Sequence, residues 1–267
     1  MKDILVHLDG GDGCGVRLLA AIDLATRFGA KLTGLFAQTD VDGPSITARR
    51  PSSHLLSAAE RTAEAFQQAV AAAGLTGQWL QLPHGEPGFV VAETAFCARY
   101  ADLVVLGQTP AEGAKVPGEL VEQTILQSGR PALVIPEGGP GPTLGARVAV
   151  AWNASREASR VLHDALPLLQ RAEQVTLLSI RQKEAATNMG DLPRLDILGH
   201  LANQGVTAKS ERVVEEDVGV MDGLALRTYE LGADLLVMGA HSGLGVMRGA
   251  GTRYMLRTMT IPVFMSC

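Results

Sequence analysis

Short runs of hydrophobic residues alternate along this chain with longer segments in which hydrophobic residues recur every three or four positions. In the first half, the short runs predict strands at residues 4–8, 31–37, 78–82, 103–106 and 131–135. The longer segments predict a helix that Gly29 ends, followed by helices at 57–73, 89–100 and 119–128. The fourth strand has no polar interruption, as expected of a strand that is buried on both faces.

The same pattern then starts again. It predicts strands at 148–152, 175–180, 209–214, 235–238 and 261–265, with helices at 157–169, 195–204, 223–231 and 252–259. Residues 102–107 read Asp-Leu-Val-Val-Leu-Gly, and residues 234–239 read Asp-Leu-Leu-Val-Met-Gly at the corresponding place. The chain is therefore a tandem duplication of one unit.

Alternating strands and helices predict an α/β fold of two doubly wound domains, each a parallel sheet with helices on both faces. We expect domains at 1–137 and 145–267 with a linker at 138–144. Residues 136–145 hold four glycines and three prolines, which suits a linker. Such sheets bind ligands beyond the carboxyl ends of their strands. The loops after the first and fourth strands of each half are therefore the candidate sites.

Composition narrows the functional classes. The formal net charge is −5, which argues against a nucleic-acid partner. No apolar stretch approaches the roughly 18 residues of a membrane span, and the N-terminus is unlike a signal peptide. The three cysteines form no CxxC pair, and the histidines show no metal-ligand spacing, so we expect a cytoplasmic protein without a metal centre. Cys14, at the start of a predicted helix, is expected to be an inert thiol rather than a reactive one.

Several segments resemble the tandem universal stress proteins of bacteria. They are the two Asp-to-Gly runs above, residues 261–266 (Ile-Pro-Val-Phe-Met-Ser) and residues 152–158 (Trp-Asn-Ala-Ser-Arg-Glu-Ala). The resemblance implies five parallel strands in each domain, domains packed as a pseudo-dimer through their last strands, and a homodimer of tandem chains. In the ATP-binding branch, an acidic residue ends the first strand, and a loop of form G-x2-G-x9-G-[S/T] after the fourth strand holds the phosphates. The chemistry suits phosphate, because glycines expose backbone amides near a helix N-terminus.

The second half carries the better version of this site. Asn153 takes the place of the acid, and five glycines follow the fourth strand as a candidate anion nest. Two alignments stay open: Gly249–Ala250 agrees with the last strand, whereas Gly251–Thr252 restores the hydroxyl. The predicted nucleotide-binding residues are Asn153, Gly239, His241, Ser242, Gly243, Gly249, Gly251 and Thr252.

The first half departs further from the motif. Asp9 and Gly107 are its candidates, but Pro110 lacks a backbone N–H where the motif needs a donor. Glu119 stands where the hydroxyl residue belongs, and a carboxylate there repels phosphate.

These features predict a universal stress protein that binds an adenine nucleotide, ATP or AMP, in its second domain and has a regulatory or stress-protective role. ATP would bring Mg²⁺ with it. No residue stands out as a catalytic base, so we expect at most slow hydrolysis. The alternative is a scaffold of the same fold that no longer binds nucleotide. A nucleotidyl transferase is disfavoured, because its signature motifs are missing.

Overall fold

The computed structural model describes residues 1–40, 50–108, 115–181, 196–214, 219–240 and 249–267. The elements of the first half are β1 (Asp3–Leu8), α1 (Cys14–Phe28), β2 (Lys31–Phe36), α2 (Ser53–Ala72), β3 (Gly77–Gln81), α3 (Pro87–Ala98), β4 (Leu103–Gly107), α4 (Leu120–Ser128) and β5 (Ala132–Ile135). Those of the second half are β6 (Arg147–Ala151), α5 (Arg156–Leu169), β7 (Gln174–Arg181), α6 (Ile197–Asn203), β8 (Ala208–Val214), α7 (Val220–Glu230), β9 (Leu235–Gly239), α8 (Ala250–Thr258) and β10 (Val263–Ser266).

The ten described strands form one sheet, in the order β3-β2-β1-β4-β5-β10-β9-β6-β7-β8. Strands pair in parallel within each half. The halves meet where β5 and β10 pair antiparallel, with Val134 opposite Val263 and Ala132 opposite Met265. This arrangement confirms the predicted α/β fold, with five parallel strands in each half joined through the last strands.

Helices cover both faces of the sheet and divide the core into two layers. One layer buries residues of α1, α2, α5 and α6 against the sheet, and the other buries residues of α3, α4, α7 and α8. Each layer contains residues from both halves. The junction of β5 and β10 is therefore part of a continuous core, not a hinge between separate cores.

Polar contacts reinforce this junction. The side-chain Nε2 of Gln108 donates to the carbonyl oxygens of Arg257 (3.1 Å) and Met259 (3.2 Å). Nη1 of Arg253 lies 2.9 Å from Oε1 of Glu122. Both contacts join residues more than 100 positions apart, and they fix the first half relative to the second.

The duplication extends to individual hydrogen bonds. Oδ2 of Asp102 accepts from the backbone amides of Lys2 (2.6 Å) and Asp3 (3.2 Å) at the start of β1. At the equivalent place in the second half, the carboxylate of Asp234 accepts from Gly145 (3.0 Å), Ala146 (3.1 Å) and Arg147 (3.0 Å). The repeated aspartate seen in the sequence thus holds the first strand of each half in register with its neighbour.

Most predicted elements lie within a few residues of their observed positions, and one start was clearly wrong. The sequence predicted a helix from residue 57, whereas α2 begins at Ser53. Ser52 caps this helix by accepting from the amide of Leu55 (3.1 Å), and Asp40 holds Ser52 through both its amide and its hydroxyl (2.6 Å each). A cap that depends on a residue twelve positions earlier cannot be read from helical periodicity.

Candidate nucleotide site

The carboxyl ends of β6, β7 and β9 surround a small cavity in the second half. Its volume is about 70 Å³, and its walls are mostly apolar. The lining consists of strand ends, the start of α5 and the first turns of α7: Ala151, Trp152, Asn153, Ser155, Ala158, Leu178, Ile180, Val220, Met221, Leu224, Met238 and Gly239. Two of the predicted nucleotide-binding residues, Asn153 and Gly239, therefore lie on one cavity.

Asn153 begins the turn that leads from β6 into α5. Its Oδ1 accepts from the amide of Ser155 (3.0 Å), and the Ser155 hydroxyl in turn accepts from the amide of Ala158 (3.1 Å) to cap the helix. Ser155 is therefore the N-cap of α5. Oδ1 of Asn153 is used in this turn, so the side-chain NH2 group of Asn153 is available to donate to a ligand.

Gly239 ends β9 in tight contact with α5. A Cβ atom there would lie 2.7 Å from the carbonyl carbon of Glu157 and 2.9 Å from the amide nitrogen of Ala158. Glycine is therefore required for the first turn of α5 to lie against the strand. The same contact makes the cavity narrow.

Three further predicted residues lie at the start of α8. Gly249 is the N-cap, with φ of 80°, and Ala250 is the first helical residue, which agrees with the Gly249–Ala250 alignment. Gly251 lies in the first turn, where a Cβ would be 3.1 Å from Sδ of Met221. Thr252 is buried. The other predicted residues, His241, Ser242 and Gly243, lie outside the described residues.

The first half has a larger and more polar cavity at the equivalent place. Its volume is about 570 Å³, and it includes Asp9, Gly107 and Lys115. Nζ of Lys115 donates to the carbonyl oxygen of Gly10 (2.7 Å), and the Gly10 amide donates to Oε1 of Gln38 (2.8 Å). The loop after β1 is thus held by hydrogen bonds.

A buried arginine dominates this cavity. Arg17 lies one turn into α1 and is 5% exposed. Its Nη2 donates to Oδ2 of Asp9 at 2.7 Å, and its Nε donates to the carbonyl oxygen of His7 at 2.6 Å. A Cβ at Gly107 would clash with Nη1 of Arg17. The guanidinium therefore occupies the space over Gly107 and neutralises Asp9. These two residues are the first-half candidates for nucleotide binding.

Burial and charge shift the acid–base behaviour of these groups. Burial is the largest single influence on Asp9 and opposes its ionisation, but the charge of Arg17 and the hydrogen bonds from Gly11 and Arg17 act with other smaller effects to hold the pKa of this carboxyl below its usual value. Burial, followed by the charge of Arg17, lowers the pKa of His7 to about 4. Neutral His7 donates from Nε2 to the carbonyl oxygen of Ala37 (2.7 Å). At neutral pH the cluster therefore holds a carboxylate, a guanidinium and an uncharged imidazole.

Cys14 also belongs to this region. Burial raises the pKa of its thiol, an effect that outweighs the nearby positive charge of Arg17. The thiol therefore stays protonated, which supports the expectation of an inert cysteine.

Sequence reasoning missed two features that the fold brings together. Nothing in the sequence distinguishes Arg17 from other charged helix residues. Its position eight residues after Asp9 was the available signal that the two could form an ion pair. His163 and His200 are 37 positions apart, yet their Nε2 atoms lie 3.2 Å from each other. No spacing rule could have joined residues on separate helices.

Comparison with solved structures identifies the architecture. A universal stress protein from Archaeoglobus fulgidus DSM 4304 superimposes with a TM-score of 0.74 at 17% identity, covering 99% of this chain and 97% of the other. The chain has the fold of a tandem universal stress protein. A functionally unknown protein, PA1789 from Pseudomonas aeruginosa PAO1, matches with a TM-score of 0.66 at 14% identity, covering 100% of this chain and 92% of that one.

The chain is also similar in fold to a domain of a different kind of protein. The cytoplasmic domain of a prokaryotic cation chloride cotransporter matches with a TM-score of 0.54 at 13% identity, covering 99% of this chain and 94% of the other. No family model matches the sequence, and no curated protein is significantly similar to it. Among the described helices, none is both long and apolar enough to cross a membrane.

Proposed function

We propose that this protein is a universal stress protein with a regulatory or protective role, and that it binds an adenine nucleotide, ATP or AMP, in its second domain. The observation that supports this proposal is the apolar cavity between the carboxyl ends of β6, β7 and β9. Its aliphatic and thioether walls, Leu178, Ile180 and Met221 among them, suit the faces of a purine ring.

We propose that polar groups near the cavity contact the sugar and phosphates. Asn153 offers its amide at the edge of the cavity. Helix α8 begins at Ala250 after its N-cap Gly249, and helix N-termini attract phosphate. His241, Ser242, Gly243, Gly251 and Thr252 complete the proposed contacts. ATP would bring Mg²⁺ with it, held by its own phosphates.

The cavity must widen to accept the ligand. Small-molecule pockets usually measure roughly 300–1,000 Å³, well above the 70 Å³ found here. Methionine side chains adapt their shape easily, and Met221 and Met238 both line the cavity. We therefore expect modest affinity and movement of these side chains when the base enters.

A scaffold without nucleotide is the second candidate. The observation that favours it is the pairing of Arg17 with Asp9, which satisfies the acidic residue of the first half with the protein's own cation. Under this alternative, the narrow second-half cavity is a packing defect, and the protein acts through its surface.

Calorimetric titration with ATP and with AMP, with and without Mg²⁺, tests the proposal. We expect saturable binding of one nucleotide per chain with Kd below about 1 mM. Ile180→Trp, at a half-buried position of the second-half cavity, should weaken binding at least tenfold. Val116→Trp, at a half-buried position of the first-half cavity, is the matched control and should leave Kd unchanged.

Each other outcome has a definite meaning. If only Val116→Trp weakens binding, the nucleotide lies in the first domain and our assignment of the site is wrong. If the wild-type chain shows no saturable binding below about 1 mM, the scaffold alternative replaces nucleotide binding.

A further inference from the structure

Two histidines from neighbouring helices of the second half face each other at the protein surface. His163 is on α5 and His200 is on α6, and their Nε2 atoms are 3.2 Å apart. This pair lies outside the cavity lining of the proposed nucleotide site.

The hydrogen bond at the far side of one ring fixes its tautomer. Nδ1 of His163 lies 2.8 Å from the carbonyl oxygen of Ser159. A carbonyl oxygen only accepts, so Nδ1 carries the proton and Nε2 of the neutral ring carries a lone pair. This arrangement, with Nδ1–H on a backbone carbonyl, is the usual one for a histidine that binds a metal through Nε2.

The distances between the two rings fit a shared metal ion. With metal–nitrogen bonds of ~2.05 Å, an Nε2–Nε2 distance of 3.2 Å gives an N–metal–N angle of about 103°, close to tetrahedral. Two rings directed at one ion in this way would have centres about 5.0 Å apart. The observed separation of the ring centroids is 5.1 Å.

We propose that His163 and His200 form a two-histidine site for a divalent transition metal of the Zn²⁺, Ni²⁺ and Cu²⁺ class. Imidazole nitrogen is a preferred ligand of these ions. The ion replaces the proton between the two Nε2 atoms, and His200 then carries its proton on Nδ1. Within the described part of the chain, no third histidine, cysteine or carboxylate joins the pair, so water fills the other coordination positions.

Binding would link α6 to α5. The two helices already touch near their C-terminal ends, where Nε2 of Gln170 donates to the carbonyl oxygen of Gln204 (2.8 Å). Near the middle of both helices, the metal would replace the hydrogen bond between the two Nε2 atoms with a stronger link. Since α6 has seven residues and cannot be stable alone, this link should stabilise the outer part of the second domain.

Titration of the untagged 267-residue chain with Ni²⁺ after dialysis against a chelator tests the site. Ni²⁺ is the probe because the three free cysteines compete more strongly for Zn²⁺ and copper. We expect one Ni²⁺ per chain with Kd below ~0.1 mM, and a rise in Tm of at least about 3 °C at saturation.

Single variants distinguish Ni²⁺ binding at His163 and His200 from binding at other histidines. His163→Ala and His200→Ala should each weaken Ni²⁺ binding at least tenfold and remove the rise in Tm, and the double variant should be no worse than either. His54→Ala, at an exposed histidine on α2, is the matched control and should bind like the wild type.

Unchanged Ni²⁺ affinity in the two single variants would overturn the proposal, as would equal loss in the control. Absence of saturable binding to the wild type below about 1 mM would overturn it as well. Each variant loses only hydrogen bonds of rings that are at least partly exposed, so metal-free melting temperatures should stay within about 4 °C of the wild type and show that folding is intact.

Discussion

Arg17 and Asp9 form a buried ion pair at the end of β1, with Nη2 and Oδ2 2.7 Å apart. Asp9 directly follows β1, at the place where the ATP-binding branch has its acidic residue, and Arg17 comes from the next helix, α1. The protein thus supplies its own cation to this carboxylate. In the first half this position therefore has a structural role, whereas the second half has an uncharged asparagine, Asn153, at the corresponding place.

Removing the arginine should destabilise the fold strongly. In Arg17→Met the carboxylate of Asp9 stays buried without its partner, which costs roughly 3–5 kcal/mol. Asp9→Asn/Arg17→Met removes both charges and should recover most of that loss. Urea unfolding of the wild type, both single variants and the double variant gives the coupling energy. A coupling below about 0.5 kcal/mol would contradict the prediction.

Protonation of His7 should make stability depend on pH in a defined window. The pKa of His7 falls from its ordinary 6.5 to about 4 in the fold, so the unfolded chain binds the proton more readily. The contribution of His7 to the free energy of unfolding is therefore fully present above pH ~6.5, and it falls by roughly 3 kcal/mol as the pH drops to about 4.

His7→Gln should remove this part of the pH dependence, and His54→Ala, at an exposed site, should keep it. Urea unfolding at pH 7 and pH 4.5 measures the difference. The carboxyl of Asp9, whose pKa is lowered, contributes stability that is present above pH ~4 and lost below it, so it acts in a separate window. Equal pH slopes in His7→Gln and the wild type would contradict the assignment.

Replacing Ala154 with glycine should stabilise the protein. It has φ of 58° in the turn between β6 and α5, a left-handed conformation that costs a residue with Cβ about 1 kcal/mol. Ala154→Gly should therefore raise the free energy of unfolding by up to ~1 kcal/mol. Ala65→Gly, at an exposed position inside α2, is the control and should lower it by about 1 kcal/mol. Denaturant midpoints of the two variants should move in opposite directions.

The repeated aspartates should differ in their contribution to stability. Asp234 accepts from three backbone amides and is half-buried, whereas Asp102 accepts from two and is exposed. Asp234→Ala leaves three donors without their acceptor and should cost about 2–3 kcal/mol, with a smaller loss for Asp102→Ala. Thermal melts compare the two, and a larger loss in Asp102→Ala would refute this ranking.

Much of the fold could be predicted from the sequence because its signals are local. Continuous apolar runs such as residues 103–106 predict buried parallel strands, and the repeated Asp-to-Gly runs predict the duplication. Gly29 adopts φ of 58° at the end of α1, as its position after the helical pattern indicated. The start of α2 escaped prediction because its cap depends on Asp40, which comes from another part of the chain.

The candidate site was less accessible to sequence reasoning. A motif comparison identifies Asp9 and Gly107 as weak candidates, but it does not show that Arg17 covers both. It identifies Asn153 and Gly239, but not that the first turn of α5 lies on Gly239 and narrows the cavity. These facts depend on side chains that meet only after helices and strands have packed.

The sequence by itself determined the α/β class and the two repeats, because hydrophobic periodicity is a property of neighbouring residues. The tertiary structure alone decided which charges meet and how much space remains. It placed Arg17 on Asp9, set a cavity of about 70 Å³ in the second half and brought His163 to His200. Ion pairs, cavities and metal sites arise from contacts between distant parts of the chain, and their geometry exists only once the core has packed.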